Sequence, residues 1–314
     1  MTTPKVAGPL LDPDAAARVA QFGVVAPMRE RGLAAVREGL ESAPLPEMPQ
    51  MADIQDWVID GPIGDIPLRI YRPSLNTMAP VMIYFHGGGM VLGSNHSFEP
   101  LARNLADKSG ATVVSVEYHL APEASPPAQF DDAYTATLWV AAHADELSVD
   151  TARLAVAGDS AGGTLAAAVA LAARDRDGPS LFAQVLMYPG LDKDLTVPSV
   201  QELPDAPMLS LADIEYMHEL ADGPEHPYAV PARADDLSGL PQAIVVTAAA
   251  DPIQDWGERY AQRLRDAGVQ TTVTRYPGAY HGFLMRSEAT ARGRLAVAEI
   301  GALMRAKFDN PLPF

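Results

Sequence analysis

Ser160 stands in the stretch whose residue types best fit covalent chemistry. The motif Gly158-Asp159-Ser160-Ala161-Gly162-Gly163 follows the apolar run 154–157 and precedes an alanine-rich stretch. This order predicts a strand, a tight turn and a helix, with the serine hydroxyl lifted above the strand end as a nucleophile. The start of the helix would also stabilise an anion beside it. A G-x-S-x-G match alone can arise by chance, so partner residues must decide.

Two partners follow other apolar runs. Asp251 follows the run 243–249, and His281 follows the run 271–276 through a Pro277-Gly278 turn. A serine hydroxyl needs a histidine to take its proton, and that imidazole needs a carboxylate to fix its tautomer. Reactive residues of an open parallel sheet collect at the carboxyl ends of its strands. We therefore predict that the serine, the histidine and the aspartate meet there.

Each partner also has an ordinary structural explanation. Asp251 precedes Pro252, which is the pattern of a helix N-cap followed by proline at the first helical position. Asp255 is a rival acid, but we expect it to lie a full turn into that helix and to point away. His281 is one of seven histidines, and a single loop histidine is commonly a solvated side chain. Their positions after strands favour Asp251 and His281.

A glycine loop is the candidate for stabilising negative charge. His86-Gly87-Gly88-Gly89 follows the apolar run 81–85. Glycines let backbone N–H groups turn toward a developing oxyanion without side chains in the way. The competing interpretation is a phosphate loop. The glycines at 87, 89 and 93 are spaced one residue too far for a dinucleotide fingerprint, and no Walker lysine follows.

The positioning elements alternate along the chain. Apolar runs separated by helix-length segments predict a mostly parallel sheet with helices on both faces. We expect strands at 57–59, 68–71, 81–85, 111–116, 153–157, 182–187, 243–249 and 271–276, the first two forming a hairpin at a sheet edge. We expect helices at 98–108, 129–144, 161–173, 253–267 and 288–307.

Two segments break this alternation, and we predict that they form a helical cap over the strand ends. Residues 1–50 carry helical patterns at Ala15–Phe22 and Met28–Leu40 and a proline-rich exit. Residues 190–238 are rich in proline and carry a helical pattern near 210–220. The predicted organisation is a single domain over 1–314, with the cap on a catalytic body of 51–189 and 239–314.

Composition excludes several classes. The 314 residues can bury one large core. With no cysteine, thiolate nucleophiles, disulfides and cysteine-ligated metals are excluded. Forty acidic against 23 basic residues argue against nucleic acid and anionic membranes as partners. Residues 1–10 lack a signal-peptide pattern and no run is long enough to span a bilayer, so we expect a cytoplasmic protein.

Taken together, the chain resembles the hormone-sensitive-lipase-like, bacterial family IV branch of α/β-hydrolase esterases. The resemblance spans residues 81–283 in family order. It rests on His86-Gly87-Gly88-Gly89-Met90-Val91-Leu92-Gly93-Ser94, Tyr118-His119-Leu120-Ala121-Pro122-Glu123, Gly158-Asp159-Ser160-Ala161-Gly162-Gly163, Asp235-Asp236-Leu237-Ser238-Gly239-Leu240-Pro241, Asp251-Pro252 and Tyr280-His281-Gly282-Phe283. It implies an α/β-hydrolase fold with a helical cap.

The resemblance also implies roles. Ser160 would be the nucleophile, His281 the general base and acid, and Asp251 the residue that orients the histidine. The implied oxyanion hole consists of the N–H groups of Gly88, Gly89 and Ala161, in a loop supported by His86 and Gly87. The family needs no cofactor and no metal.

The predicted activity is hydrolysis of small, neutral esters with short to medium acyl chains. A deacetylase or amidase on a specific acylated metabolite would use the same residues. A non-catalytic small-molecule receptor on the same fold is a third hypothesis, which the presence of His281 disfavours. The chain departs from the family pattern at Met90, Glu117, His119 and Trp256. The last strand, 271–276, carries Thr and Val, and a homodimer paired through it is a further hypothesis.

Overall fold

The computed structural model describes residues 11–23, 25–75, 78–224 and 226–311. Within these residues there are eight strands, ten α-helices and two short 3₁₀ turns. The strands are β1 (Asp53–Asp60), β2 (Asp65–Arg72), β3 (Ala79–Phe85), β4 (Thr112–Val116), β5 (Val149–Asp159), β6 (Ala183–Met187), β7 (Gln242–Ala250) and β8 (Thr271–Tyr280). The helices are α1 (Pro13–Phe22), α2 (Met28–Arg31), α3 (Leu33–Glu41), α4 (Glu99–Ser109), α5 (Ala128–Ala142), α6 (Ala161–Asp175), α7 (Pro198–Glu202), α8 (Leu211–Leu220), α9 (Gln254–Asp266) and α10 (Ala291–Asp309).

All eight strands form one sheet in the order β1-β2-β4-β3-β5-β6-β7-β8. The pairs β1–β2 and β2–β4 are antiparallel, and every other neighbouring pair is parallel. The predicted fold class, an α/β-hydrolase fold with a mostly parallel central sheet, is confirmed. The predicted hairpin is also correct, and β1 lies at one edge of the sheet.

Alternate side chains of β3 show why both faces are covered. Val81, Ile83 and Phe85 belong to one hydrophobic cluster, whereas Met82 and Tyr84 belong to another. The first cluster contains residues of α5, α6 and α9, and the second contains residues of α4 and α10. Because side chains of a strand alternate between faces, a fully apolar strand needs helices on both sides.

Two local predictions need correction. The pattern Met28–Leu40 is not one helix, because Gly32 with φ of 80° separates α2 from α3. A left-handed residue ends a helix, and glycine adopts that conformation without strain. Furthermore, β8 does not stop at residue 276. It continues through Pro277 and Gly278 to Tyr280, with a shift of register against β7 between Ala248 and Ala250.

The strand β8 lies at the other edge of the sheet, where we expected the last strand. Its outer side is not paired with another strand of the described chain. An unpaired edge presents free N–H and C=O groups to a further strand. The homodimer through β8 stays a prediction.

Residues 190–238, apart from the undescribed Glu225, contain no strand, as expected from the sequence. They contact the N-terminal helices directly: Met28 N donates to Asp213 Oδ1 at 2.6 Å, and Arg29 forms an ion pair with Glu219. These contacts join the two segments from which we predicted a cap. The boundaries of that cap stay a prediction, and its first ten residues lie outside the described ranges.

Among the described helices, none combines the length and the apolar composition that crossing a bilayer would require. Residues 1–10, for which we expected no signal peptide, are not described.

Candidate active site

Ser160 lies on a strained turn between β5 and α6. Its φ is 53° and its ψ is −119°, a backbone conformation that residues other than glycine rarely adopt. The flanking glycines permit it, since a Cβ atom on Gly158 would lie 2.0 Å from Gly162 O. A Cβ atom on Gly162 would lie 1.9 Å from Phe85 O. The sequence motif is therefore required by the packing of the turn against β3.

The structure brings Ser160, His281 and Asp251 together. His281 Nε2 lies 2.9 Å from Ser160 Oγ, and His281 Nδ1 lies 2.8 Å from Asp251 Oδ2. Asp251 is fully buried and His281 nearly so, whereas Ser160 is half-buried at the cavity wall. With Asp251 ionised, Nδ1 carries the proton that it donates to the carboxylate, and Nε2 is free to accept the serine proton. This arrangement is consistent with a catalytic triad.

Asp251 was predicted either to orient His281 or to cap a helix, and each explanation is partly correct because its two carboxylate oxygens have different partners. Oδ2 accepts from His281, while Oδ1 accepts from Ile253 N at 2.9 Å. The N-cap residue of α9 is Ile253, not Asp251, and the helix begins at Gln254. Asp251 thus orders the turn that leads into α9 and orients the imidazole at the same time.

The rival acid, Asp255, lies in the first turn of α9, not a full turn into the helix as expected. Its Oδ2 accepts from Ser199 N at 3.0 Å and so ties α9 to α7. No hydrogen bond between Asp255 and His281 is present among the described residues. The contact with the imidazole is made by Asp251.

The glycine loop has the backbone that an oxyanion hole needs. Gly88 and Gly89 have φ values of 116° and 64°. In the described part of the chain, the N–H groups of Gly88, Gly89 and Ala161 meet no acceptor. Ala161 is the first residue of α6, where N–H groups have no partner within the helix. Two of these three free donors, those of Gly89 and Ala161, belong to residues that line the same cavity as Ser160.

His86 supports this loop from below. Its Nδ1 lies 2.7 Å from Gly87 O, so Nδ1 carries the proton and donates to that carbonyl. The ring stacks between Tyr118, at 4.4 Å between centroids, and Phe98, at 5.2 Å. Complete burial lowers the pKa of His86 to about 4, which keeps the imidazole neutral. The side chain of His86 therefore holds the glycine loop in place without carrying a charge.

Asp159 is a functional residue that the sequence analysis did not single out. Its Oδ1 accepts from Gly87 N at 2.9 Å and from the Tyr84 hydroxyl at 2.6 Å. The carboxyl group is buried, and desolvation raises its pKa to about 6. The residue preceding Ser160 therefore holds the glycine loop. Asp159 belongs to the motif around Ser160, but the motif does not reveal a hydrogen bond to a residue 72 positions away.

A cavity of about 160 Å³ opens beside Ser160. Its wall is mostly apolar and comes from the glycine loop, the segment 126–130, α6, residues 190–230 and the start of α9. Met217 of α8 lies against the glycine loop, since a Cβ atom on Gly89 would be 2.1 Å from its Sδ. Two departures from the family pattern, Met90 and Trp256, line this cavity.

The other two departures form contacts away from the cavity lining. Glu117 Oε2 accepts from Asn95 N, and His119 Nδ1 lies 2.7 Å from Asp132 Oδ2. They connect the residues that follow β4 to the loop after β3 and to α5. As for metal ions, no cluster of three or more His, Asp or Glu side chains suited to hold one occurs in the described ranges.

Comparison with known proteins gives the family. The profile of a family described as alpha/beta hydrolase fold matches residues 82–285. Esterase LipI of Mycobacterium tuberculosis is 41% identical, over 85% of this chain and 88% of that protein. Carboxylesterase NlhH of the same species is 38% identical, over 95% and 98%. A hyperthermophilic esterase from the archaeon Pyrobaculum calidifontis superposes with a TM-score of 0.89 at 37% identity, over 95% of this chain and 99% of that one. The chain therefore belongs to the hormone-sensitive-lipase-like, bacterial family IV esterases of the α/β-hydrolase fold.

Proposed function

We propose that this carboxylic ester hydrolase cleaves esters of short to medium acyl chains through an acyl-Ser160 intermediate. The observation that carries the proposal is the continuous hydrogen-bond line from Ser160 Oγ through both nitrogens of His281 to Asp251 Oδ2. Such a line places a proton acceptor at the hydroxyl and an orienting carboxylate behind it. The relatives named esterase and carboxylesterase support the reaction class.

In the acylation step, Ser160 Oγ attacks the ester carbonyl carbon while His281 Nε2 takes the hydroxyl proton. The tetrahedral intermediate then breaks its bond to the alcohol oxygen, and His281 returns the proton to the leaving alcohol. Water repeats the sequence on the acyl-serine, which releases the carboxylic acid and restores the hydroxyl. Asp251 remains ionised and stabilises the imidazolium that forms in each step.

Negative charge on the carbonyl oxygen would be met by the three free N–H groups of Gly88, Gly89 and Ala161. Fixed backbone donors need no reorganisation as the charge develops, which is why they lower the barrier effectively. The loop is held on one side by His86 and on the other by Asp159. These two supports favour a preformed hole.

The proposed acyl range follows from the cavity. A volume of about 160 Å³ is similar to that of an apolar cavity that admits benzene, so it accommodates a short to medium chain. An apolar wall favours an uncharged substrate. The acidic surface of the chain gives a neutral ester no electrostatic penalty.

The proposal is tested by Ser160→Ala on p-nitrophenyl acetate and butyrate. We expect kcat/KM to fall by several orders of magnitude, since the nucleophile is removed. A fluorophosphonate probe should add its mass to Ser160 in the native protein and not in the variant. Ser180→Ala, which changes an exposed serine away from the cavity, is the matched control. Full activity in Ser160→Ala would refute the mechanism, and an unlabelled native protein would favour a receptor.

A further inference from the structure

The cavity is lined by two histidines that the proposed mechanism does not use, His218 and His226. His226 has a partner, because its Nδ1 accepts from Tyr228 N at 3.3 Å. His218 lies on α8 and lines the same cavity as Ser160. Neither of its ring nitrogens has a hydrogen-bond partner among the described residues, although the side chain is half-buried. The ring nitrogens are not among the buried polar atoms that lack a partner, so they are accessible to water or to a ligand in the cavity.

The ring of His218 is held in place by stacking. It lies nearly parallel to Trp256, at an interplanar angle of 16° and 6.1 Å between centroids. Trp256 is itself fixed, because its Nε1–H donates to Asp194 O at 2.9 Å. A polar group on such a support loses little conformational freedom when it binds a ligand.

Burial, with a smaller contribution from the charge of Lys193, lowers the pKa of His218 to about 4. The imidazole is therefore neutral at pH 7 and offers one N–H donor and one nitrogen acceptor. Asp192 and Lys193, which carry opposite charges, also line the cavity and give it no strong net charge there. The site is suited to a neutral polar group.

We propose that His218 is a specificity-determining residue, and that the preferred substrates carry a second oxygen function, an ether, carbonyl or hydroxyl, beyond the scissile ester. The imidazole N–H donates to that oxygen, and the nitrogen opposite accepts where the substrate has a hydroxyl. The inference rests on the proposed ester hydrolysis. An ester with only alkyl groups leaves the imidazole unpaired, and sites with unpaired polar groups bind such analogues less well.

The experiment uses two pairs of esters that differ by one CH₂-to-oxygen exchange. Pentyl acetate and 2-ethoxyethyl acetate place the exchange in the alcohol. Ethyl hexanoate and ethyl 4-methoxybutanoate place it in the acyl chain. The quantity compared is the ratio of kcat/KM for the ether ester to that for the alkyl ester, measured in each variant.

His218→Phe keeps an aromatic ring over Trp256 but removes both polar atoms, and we expect the ratio to fall roughly tenfold in one of the two pairs. The change should appear mainly in KM. His218→Gln, which keeps a donor and an acceptor, should restore part of the ratio. The pair that responds shows whether the oxygen belongs to the acyl or the alcohol side.

His143→Phe is the matched control, because His143 also stacks on a tryptophan, Trp139, but does not line the cavity. It should leave both ratios unchanged. An equal loss for ether and alkyl esters in His218→Phe, or no change in either pair, would overturn the inference. Failure of the native protein to hydrolyse any of the four esters would instead contradict the proposed function.

Discussion

The site at the strand ends and the N-terminal helices are packed in different ways, and their glycines show this most directly. At the turn around Ser160, an added Cβ atom on Gly158 or Gly162 would meet backbone atoms at 2.0 and 1.9 Å. In the N-terminal segment, an added Cβ on Gly39 of α3 would meet nothing within 4 Å. The same holds for Gly32 between α2 and α3, where only the φ of 80° restricts the residue type. The turn that carries Ser160 cannot take an added side-chain atom without moving the backbone, whereas α3 can take one at Gly39.

The polar contacts differ in the same way. At the strand ends, the carboxylates of Asp159 and Asp251 are buried and accept from fixed backbone and ring donors. Between α2 and α8, the ion pair of Arg29 and Glu219 is largely exposed. Exposed ion pairs contribute little and are screened by salt. The polar contacts at the strand ends are therefore held by burial, whereas the contact between α2 and α8 is open to solvent and is more easily altered.

The largest effect is expected from adding one carbon to the turn. Gly162→Ala forces the backbone of β3 to move, because Phe85 O lies 1.9 Å from the new Cβ. We expect a loss of folded protein together with activity, measured by thermal unfolding and ester turnover. Gly39→Ala in α3 is the control and should be neutral or stabilise by up to about 1 kcal/mol. A well-folded, active Gly162→Ala variant would remove the distinction between the two regions.

The second effect compares two aspartates near the start of α9. Asp251→Asn can still accept from Ile253 N, but its amide would donate to His281 Nδ1 and place the imidazole proton on Nε2. That tautomer cannot take the serine proton, and we expect kcat to fall roughly 10³- to 10⁴-fold. Asp255→Asn, which can still accept from Ser199 N, should keep most of the activity. Equal losses in the two variants would show that Asp251 has no special role.

The third effect is a pH dependence of stability. The pKa of Asp159 rises from 3.8 to about 6 on burial, so between these values the folded protein holds more protons than the unfolded chain. The free energy of unfolding should therefore fall as pH rises from about 4 to about 6.

Asp159→Asn cannot titrate, so it lacks this loss of stability. Between about pH 4 and about pH 6, its free energy of unfolding should therefore rise relative to that of the native protein by about 3 kcal/mol. Denaturant unfolding at several pH values measures the difference, with the exposed Asp145→Asn as control. A constant difference between Asp159→Asn and the native protein would show that Asp159 does not ionise in this range.

The smallest effect concerns α8, which contributes Met217 to the cavity wall. Met217→Ala removes the side chain that lies against Gly89 and should widen the cavity beside the glycine loop. We expect the ratio of kcat/KM for p-nitrophenyl octanoate to that for the butyrate to rise roughly tenfold. Glu215→Ala changes an exposed residue of the same helix and should leave the ratio as it is. An unchanged ratio in Met217→Ala would mean that α8 does not limit the acyl chain.

The sequence predicted the sheet well because its strands are short apolar runs between helices. Once Ser160, Asp251 and His281 were placed after such runs, their meeting at one edge followed from the parallel topology. Details that depend on distant contacts could not be derived. The division of labour between the two oxygens of Asp251 depends on where α9 begins, and that was one to two residues from the expected position.

The positions of α2 and α8 were harder to predict, again because they depend on contacts between distant residues. Their location depends on pairs such as Met28 and Asp213, which are 185 positions apart. No periodicity in the chain reports such a contact, and the break at Gly32 is visible only as one glycine among 24. The position of His218 in the cavity wall could not be predicted from the sequence either.

The carboxyl group of Asp159 joins two parts of the chain that lie 72 positions apart. Gly87 follows β3 and Asp159 ends β5, so the hydrogen bond between them exists only after these strands have paired side by side. During refolding, esterase activity should therefore return no earlier than this central pairing, even where α6 has already formed around its own turn. The time course of recovered turnover would then set a latest time for the pairing of β3 with β5.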